Sequence, residues 1–209
     1  VDAIHVRGNG EIIMSFQAAL NTVPNLIGGP NGVSVTDKDL VVFTPTSTGS
    51  NTAGSFTFLF DGSDMGLGTS KEDVDGVHEF ADGSLALSLR GSTNVSLGSF
   101  RDEDILLFTP TTLGTNTTGT WSWLFDGSDV GMSNGGGEDL NAVSFDAAGD
   151  LWFSTVGDFV SGSAAGTDED LARFSGTFGP ATSGAVTVEL RLASFGIASG
   201  EDVDGLSVH

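Results

Sequence analysis

The sequence predicts an all-β fold assembled from repeated four-stranded units. Three observations carry that expectation: a set of motifs that recurs along the chain, runs of period-two alternation bounded by turn residues, and no sustained helical period. The recurring order is D-x-D-Φ-Φ-x-F, then F-D-G-S-D, then E-D-x-D-G-Φ, where Φ is apolar. Asp37-Lys38-Asp39-Leu40-Val41-Val42-Phe43 returns as Asp102-Glu103-Asp104-Ile105-Leu106-Leu107-Phe108, and more loosely as Asp168-Glu169-Asp170-Leu171-Ala172-Arg173-Phe174. Phe60-Asp61-Gly62-Ser63-Asp64 returns as Phe125-Asp126-Gly127-Ser128-Asp129. Asp2, Asp75, Asn141 and Asp204 hold one position of the repeat, at spacings of 73, 66 and 63 residues. Tandem units of this kind cannot bury their apolar faces alone and must stack. The 209 residues are read as one repeat domain with units at about 1–72, 73–138 and 139–200 and an extra closing strand at 201–209.

Each element follows from local signals, clearest in the second unit. Asp75 to Phe80 alternates and runs into Ala81-Asp82-Gly83, a D-G hairpin signal, before Ser84 to Leu89. A polar loop leads to a third strand from Asp104 to Thr109, which Pro110 is expected to stop because it lacks an N–H. The fourth strand is Thr120 to Phe125, closed by Asp126-Gly127 and matched by Ser55 to Phe60. The third unit ends in Ala185 to Arg191 without D-G-S-D. Phe16 to Leu20 is the single hint of a helical period and is too short to count.

A four-stranded antiparallel unit in tandem is the plan of a β-propeller blade. The phrase D-G-Φ-x-Φ-x-x-D-G-x-Φ-x-Φ-S resembles the blade opening of six-bladed propellers of the gluconolactonase/regucalcin and NHL-repeat type, over about 20 residues per unit. The F-T-P-T and F-D-G-S-D phrases resemble instead an acidic repeat of large bacterial secreted proteins. Three blades do not close a ring, so six blades in a homodimer are expected, by closed twofold symmetry. Against that, 202–208 would compete with the partner's 1–6 for one place; a longer array is the alternative.

Composition bounds the function. With 28 Asp+Glu against 7 Lys+Arg, the formal net charge is −21, which argues against nucleic acid and anionic membranes as partners. It suits cations, cationic partners or a salty medium. No Cys excludes disulfides and thiolate metal sites. No stretch is apolar enough for a membrane helix. Val1 is not preceded by a charged-then-apolar leader, so a signal peptide is expected to have been removed or never to have existed. The acidic, Cys-free, Thr/Ser/Gly-rich style points to a bacterial extracellular or cell-surface protein.

The recurring acids are the candidate chemistry. Asp37 and Asp39, Asp102 and Asp104, Asp61 and Asp64, Asp126 and Asp129, Asp73 and Asp139, and the Asp2/Asp75/Asn141/Asp204 series place carboxylates at alternate positions near glycines. A hard cation such as Ca2+, or another divalent metal, takes six to eight oxygens from such groups. The competing reading is a solvated acidic face whose aspartates serve turns. No EF-hand order is present. The resemblance implies that Asp2, Asp75, Asn141 and Asp204 are ligands of a catalytic calcium in a central channel. Two departures are the Ala after Asp2 and Asn141, and the lack of an assignable glutamate ligand.

His5 and His78 share a repeat position that Ser144 and Ser207 fill elsewhere, and they are the candidate general bases. Period two puts His78 on the opposite strand face from Asp75 unless a bulge intervenes. No G-x-S-x-G elbow supports a serine nucleophile, and Gly135-Gly136-Gly137 precedes Glu138 rather than a phosphate-binding Lys. Trp121, Trp123 and Trp152 are candidates for sugar stacking, but the aligned Phe56 and Phe58 favour inter-unit core for the first two. Arg191 replaces the first Asp of F-D-G-S-D, so a repeat metal site in the third unit is expected to be missing or altered. The expected function is calcium-dependent hydrolysis of a small-molecule ester, lactone or phosphotriester. The alternatives are a non-enzymatic calcium-binding structural or adhesion repeat and a carbohydrate-binding module.

Overall fold

A computed structural model describes residues 1–69, 71–133, 137–197 and 200–208; Gly135, Gly136 and His209 lie outside the described residues. The fold is all-β. Unit one holds β1 (Ile4–Val6), β2 (Ile12–Met14), β3 (Leu26–Ile27), β4 (Leu40–Ser47) and β5 (Ala53–Phe60). Unit two holds β6 (Val74–Glu79), β7 (Leu85–Leu89), β8 (Thr93–Val95), β9 (Gly98–Phe100), β10 (Ile105–Thr112) and β11 (Thr118–Phe125). Unit three holds β12 (Leu140–Phe145), β13 (Leu151–Thr155), β14 (Phe159–Ser161), β15 (Ala164–Gly166), β16 (Asp170–Thr177) and β17 (Ser183–Arg191). Each unit contains an antiparallel meander: β1-β2-β4-β5, β6-β7-β10-β11 and β12-β13-β16-β17. In unit one β3 adds to the outer edge, parallel to β5. The first hairpin of every unit is a three-residue loop ending in a left-handed glycine, Gly10, Gly83 or Gly149, at φ of 86°, 84° and 85°.

One correction to the expected elements concerns proline. β10 does not stop at Pro110 but continues to Thr112, with Pro110 opposite Gly119, and Pro45 sits likewise opposite Gly54 in β4. β7 pairs with β10 only as far as Phe108. Beyond that point β10 has a neighbour on one side alone, where a residue without an N–H costs no ladder bond. The helical hint at 16–20 is not a helix either; Leu20 bridges Val35.

The units stack through matching apolar faces. Ile13, Leu40, Val42 and Phe60 of unit one meet Leu85, Leu87, Leu106, Phe108 and Trp121 of unit two. Ile105 and Phe125 of unit two meet Phe153, Phe174 and Val186 of unit three. Trp121 is therefore inter-unit core, as its alignment with Phe56 implies; its ring lies 6.2 Å from Phe60 and its Nε1 donates to the Met65 carbonyl. Polar hooks reinforce each junction. Thr117 Oγ1 accepts from the Asp61 N–H, and Thr182 Oγ1 from the Asp126 N–H, so each outer hairpin grips the preceding D-G turn.

The two flanks are finished differently. The face that unit two uses against unit one is, on unit one itself, Met14, Val41 and Phe58. Phe16, Leu20, Val23 and Val35 from the 16–36 segment cover it. On unit three the opposite face carries Arg173, ion-paired to Asp150 and Glu189 and lying 5.8 Å over the Trp152 ring. Arg173 stands where units one and two have Val42 and Leu107.

The inner strands β1, β6 and β12 lie side by side, and residues 200–208 join them. Ser15 Oγ donates to the Val74 carbonyl, and Ser154 Oγ donates in the same way to that of Val203. A Cβ on Gly76 would lie 3.0 Å from Val143, and one on Gly205 would lie 2.6 Å from Ile4. Residues 202–208 thus stand to β12 and β1 as one inner strand stands to the next, although no strand is assigned there.

Candidate metal centre

The Asp2/Asp75/Asn141/Asp204 position becomes a site because of an irregularity in the ladder. β6 pairs Val74 with Leu89 and Gly76 with Ser88, leaving Asp75 as the extra residue of a bulge; Asn141 is the extra residue between Leu140 and Ala142. A bulge re-aims a side chain out of the pleat. Here all four members of the series line one cavity of about 130 Å³, together with Asp139, Asp202, Gln17, Arg90 and Val156. Gln17, Arg90 and Val156 are again one repeat position, two residues beyond Ser15, Ser88 and Ser154. Asp2, Asp73 and Asp75 offer oxygens that lie within 4.8 Å of one another.

The acids of this cluster are short of partners. Asp73 is 2%, Asp75 5% and Asp139 6% exposed, and Oδ1 of each is buried without a hydrogen-bond partner, as is Oδ2 of Asp2. Asn141 is better satisfied: its Nδ2 donates to Asp202 at 2.8 Å and its Oδ1 accepts from Ser154. Burial, then the charges of Asp139 and Asp2, pushes Asp75 up to about 10. Burial and the charge of Asp2 push Asp73 up to about 7; burial and Asp102 do the same to Asp139, also to about 7. Asp2 and Asp202 are raised by burial as well. Among the described residues, Arg90 is the one cationic side chain lining the cavity. Carboxylates packed this way stay apart in energy unless they hold protons or share a cation.

The outer acids have other work. Asp39 Oδ2 accepts from the Thr36 N–H and hydroxyl at 2.7 and 2.8 Å, and its Oδ1 accepts from the Gly62 N–H. Asp104 accepts from the Arg101 and Gly127 N–H groups. Gly62 and Gly127 are required there, since a Cβ would lie 2.4 Å from the Lys38 or Glu103 carbonyl oxygen. Asp61 and Asp126 each accept from the N–H and hydroxyl of the serine two residues on, while Asp64 accepts from the Thr117 N–H. Asp129 is exposed. Asp37 binds Lys38 at 2.7 Å. In unit three the Arg191 guanidinium donates to Asp170 at 3.0 Å, in the place where units one and two use the glycine N–H. Asp39, Asp104, Asp61, Asp126 and Asp64 thus tie turns, and the substitution at Arg191 alters a turn.

His5 and His78, from neighbouring inner strands, stack edge to face at 4.7 Å. Nδ1 of His78 accepts from the Phe145 N–H at 3.2 Å, and its ring is walled by Phe80 and Phe145. Neither histidine lines the acid cavity. His5 borders a separate cleft of about 480 Å³, where Arg7 forks onto Glu79 and also bonds Glu11. Sequence reasoning passed over Asp202, Gln17 and Arg90 as site residues, although aligning the repeats at Ser15, Ser88 and Ser154 identifies the last two.

Comparison with family models, with curated proteins and with solved structures returns no match. Among the described residues, no helix is long and apolar enough to cross a membrane.

Proposed function

We propose that the chain is a propeller-like repeat module that binds a divalent cation of the calcium class at its axis, with a structural role. The observation that carries this reading is the cavity where Asp2 just before β1, Asp75 of β6, Asp139 just before β12, and Asp202 and Asp204 of the 200–208 segment meet, with buried oxygens that no protein donor satisfies. Five aspartates, two side-chain amides and small volume match the oxygen-rich shell of calcium better than the near-octahedral, water-keeping shell of magnesium. The ion would join four inner segments that otherwise repel. In this proposal the chain's own 200–208 segment completes the inner ring, rather than a second copy; the Gly205–Ile4 approach and the covered face of unit one support that choice. A calcium-rich extracellular setting suits such a module.

Lewis-acid hydrolysis at the same ion is the weaker reading. It needs metal, base and substrate in one space, whereas the acid cavity and the His5 cleft share no lining residue. The test is a metal count on protein purified without chelator, with melting curves in EDTA and calcium and an ester, lactone and phosphotriester panel on the same sample. A bound ion, a chelator-dependent drop in melting temperature that Asp75→Asn abolishes, and no turnover support the structural reading. Turnover lost with Asp75→Asn restores hydrolysis, and no metal response removes both.

A further inference from the structure

Each unit pairs its inner strand with a second strand of one pattern. Ile4 and Val6 lie opposite Met14 and Ile12, Val77 and Glu79 opposite Leu87 and Leu85, and Val143 and Phe145 opposite Phe153 and Leu151. The second strands, Ile12 to Ser15, Leu85 to Ser88 and Leu151 to Ser154, read Φ-x-Φ-S and carry no charge. Two residues after the serine stand Gln17, Arg90 and Val156, none of them acidic.

Residues 202–208 hold the inner-strand position a fourth time without such a mate. Leu206 and Val208 repeat the positions of Val77 and Glu79. Three side-chain bonds seat the segment: Asn141 Nδ2 donates to Asp202, Ser154 Oγ to the Val203 carbonyl, and the Val208 N–H to Ser144 Oγ. The Ser154 bond matches the one from Ser15 to Val74, so the segment keeps the register of the inner strands. Among the described residues, no strand or bridge pairs with it. Its exposure differs accordingly. Val77 and Val143 are each 1% exposed and Ala142 2%, whereas Leu206 is half-buried and Gly205 exposed.

A segment seated at a strand position with no strand along its edge is a template for one. We infer that 202–208 accepts a single antiparallel β-strand of the Φ-x-Φ-S pattern, donated by another polypeptide. The three internal pairings specify this occupant, because they show what covers the same repeat position wherever it is covered. The donated apolar residues would meet Leu206 and Val208, as Leu87 and Leu85 meet Val77 and Glu79. Charge narrows the partner further. Asp202 and Asp204 line the axial cavity and the chain carries −21, so the residue at the Gln17/Arg90 position of the donor is neutral or basic.

Two other occupants fit less well. A whole further unit would have to bury the Arg173, Asp150 and Glu189 ion pairs that keep the outer flank of unit three polar. A second copy of this chain has all three of its second strands engaged in its own meanders, and its own 202–208 would set Asp202 and Asp204 against like charges. The accepting edge is made by the 202–208 backbone with Leu206 and Val208, so the inference does not rest on an axial ion.

The chain contains its own probe. A labelled synthetic peptide with the sequence of residues 83–91, which holds Leu85, Leu87, Ser88 and Arg90, would be titrated into the full-length chain by fluorescence anisotropy. Hydrogen exchange of the same mixture would locate it. Saturable binding with slowed exchange at 202–208 is expected. A control peptide of equal composition with the alternation broken should bind at least about tenfold more weakly, for the loss of a few cross-strand pairs. Leu206→Asp with Val208→Asp should abolish binding and leave the melting transition of the meanders in place, since neither residue belongs to the three buried clusters. Equal binding of both peptides, or binding with no protection at 202–208, would overturn the inference. So would a chain that sediments as a dimer with 202–208 already protected, because a second copy would then hold the edge.

Discussion

Asp39 and Asp75 are nearly equally buried, at 4% and 5% exposure, yet they live in opposite circumstances. Asp39 accepts three hydrogen bonds and closes a turn against Gly62. Asp75 sits on a bulge, faces other carboxyls and leaves an oxygen without a partner. The same residue type in the same repeat therefore serves two ends: one aspartate is consumed by the backbone, the other is held available. Donors, rather than burial or charge count, separate a structural acid from a candidate ligand.

The contrast breaks most visibly on calcium removal. At pH 8 the chain is expected to lose several kcal/mol of stability in EDTA, about 4 kcal/mol relative to calcium at a thousand times its Kd. Differential scanning calorimetry reads this directly, and identical traces in EDTA and calcium would erase the distinction between the two aspartates. Next in size, Asp39→Ala should cost about 2–4 kcal/mol, because it strands buried donors. That loss should be the same with and without calcium; a calcium-dependent loss would make Asp39 a ligand.

A smaller effect sharpens the axial side. Asp73, Asp75 and Asp139 all have folded values above the ordinary 3.8, at about 7, about 10 and about 7. The folded apoprotein thus binds protons that the unfolded chain releases. Their contribution is fully present below about pH 4 and lost as pH rises through 7 and toward 10. Burial pushes Asp104 up to about 6, which adds a shallower slope in the same direction. The melting temperature of EDTA-treated protein should therefore fall from pH 5 to pH 8, and less steeply in Asp75→Asn; a rising profile would contradict the cluster. The smallest expected effect is at Arg191→Ala, about 1 kcal/mol or less, since that guanidinium is half exposed and Asp170 keeps its bond from the Thr167 N–H.

Much of this was legible in the sequence. The repeat announced the stacked meanders, and the alignment of Trp121 with Phe56 announced the inter-unit core. The Asp2/Asp75/Asn141/Asp204 series was grouped as one ligand set through the propeller resemblance, and its four members do line one cavity. The jobs of the outer acids were not legible, because D-x-D reads the same whether its oxygens meet a cation or a glycine N–H. Strict alternation set Asp75 and His78 on opposite faces, and a bulge at Asp75 is invisible to a period-two count. The cover from Phe16 to Val35 was hidden too, since its apolar residues lie on irregular chain without a period. Pro110 misled because its effect depends on where β7 ends, a tertiary fact.

The most direct measurement of the central claim is calcium binding to EDTA-stripped protein at pH 7, by calorimetry in two buffers of different ionisation enthalpy. Because Asp75 is protonated there and Asp73 and Asp139 are partly so, each axial calcium is expected to displace about one to two protons. Asp75→Asn should bind weakly and release fewer. Binding with no proton release, or no binding at millimolar calcium, would contradict an axial ion held by these carboxylates.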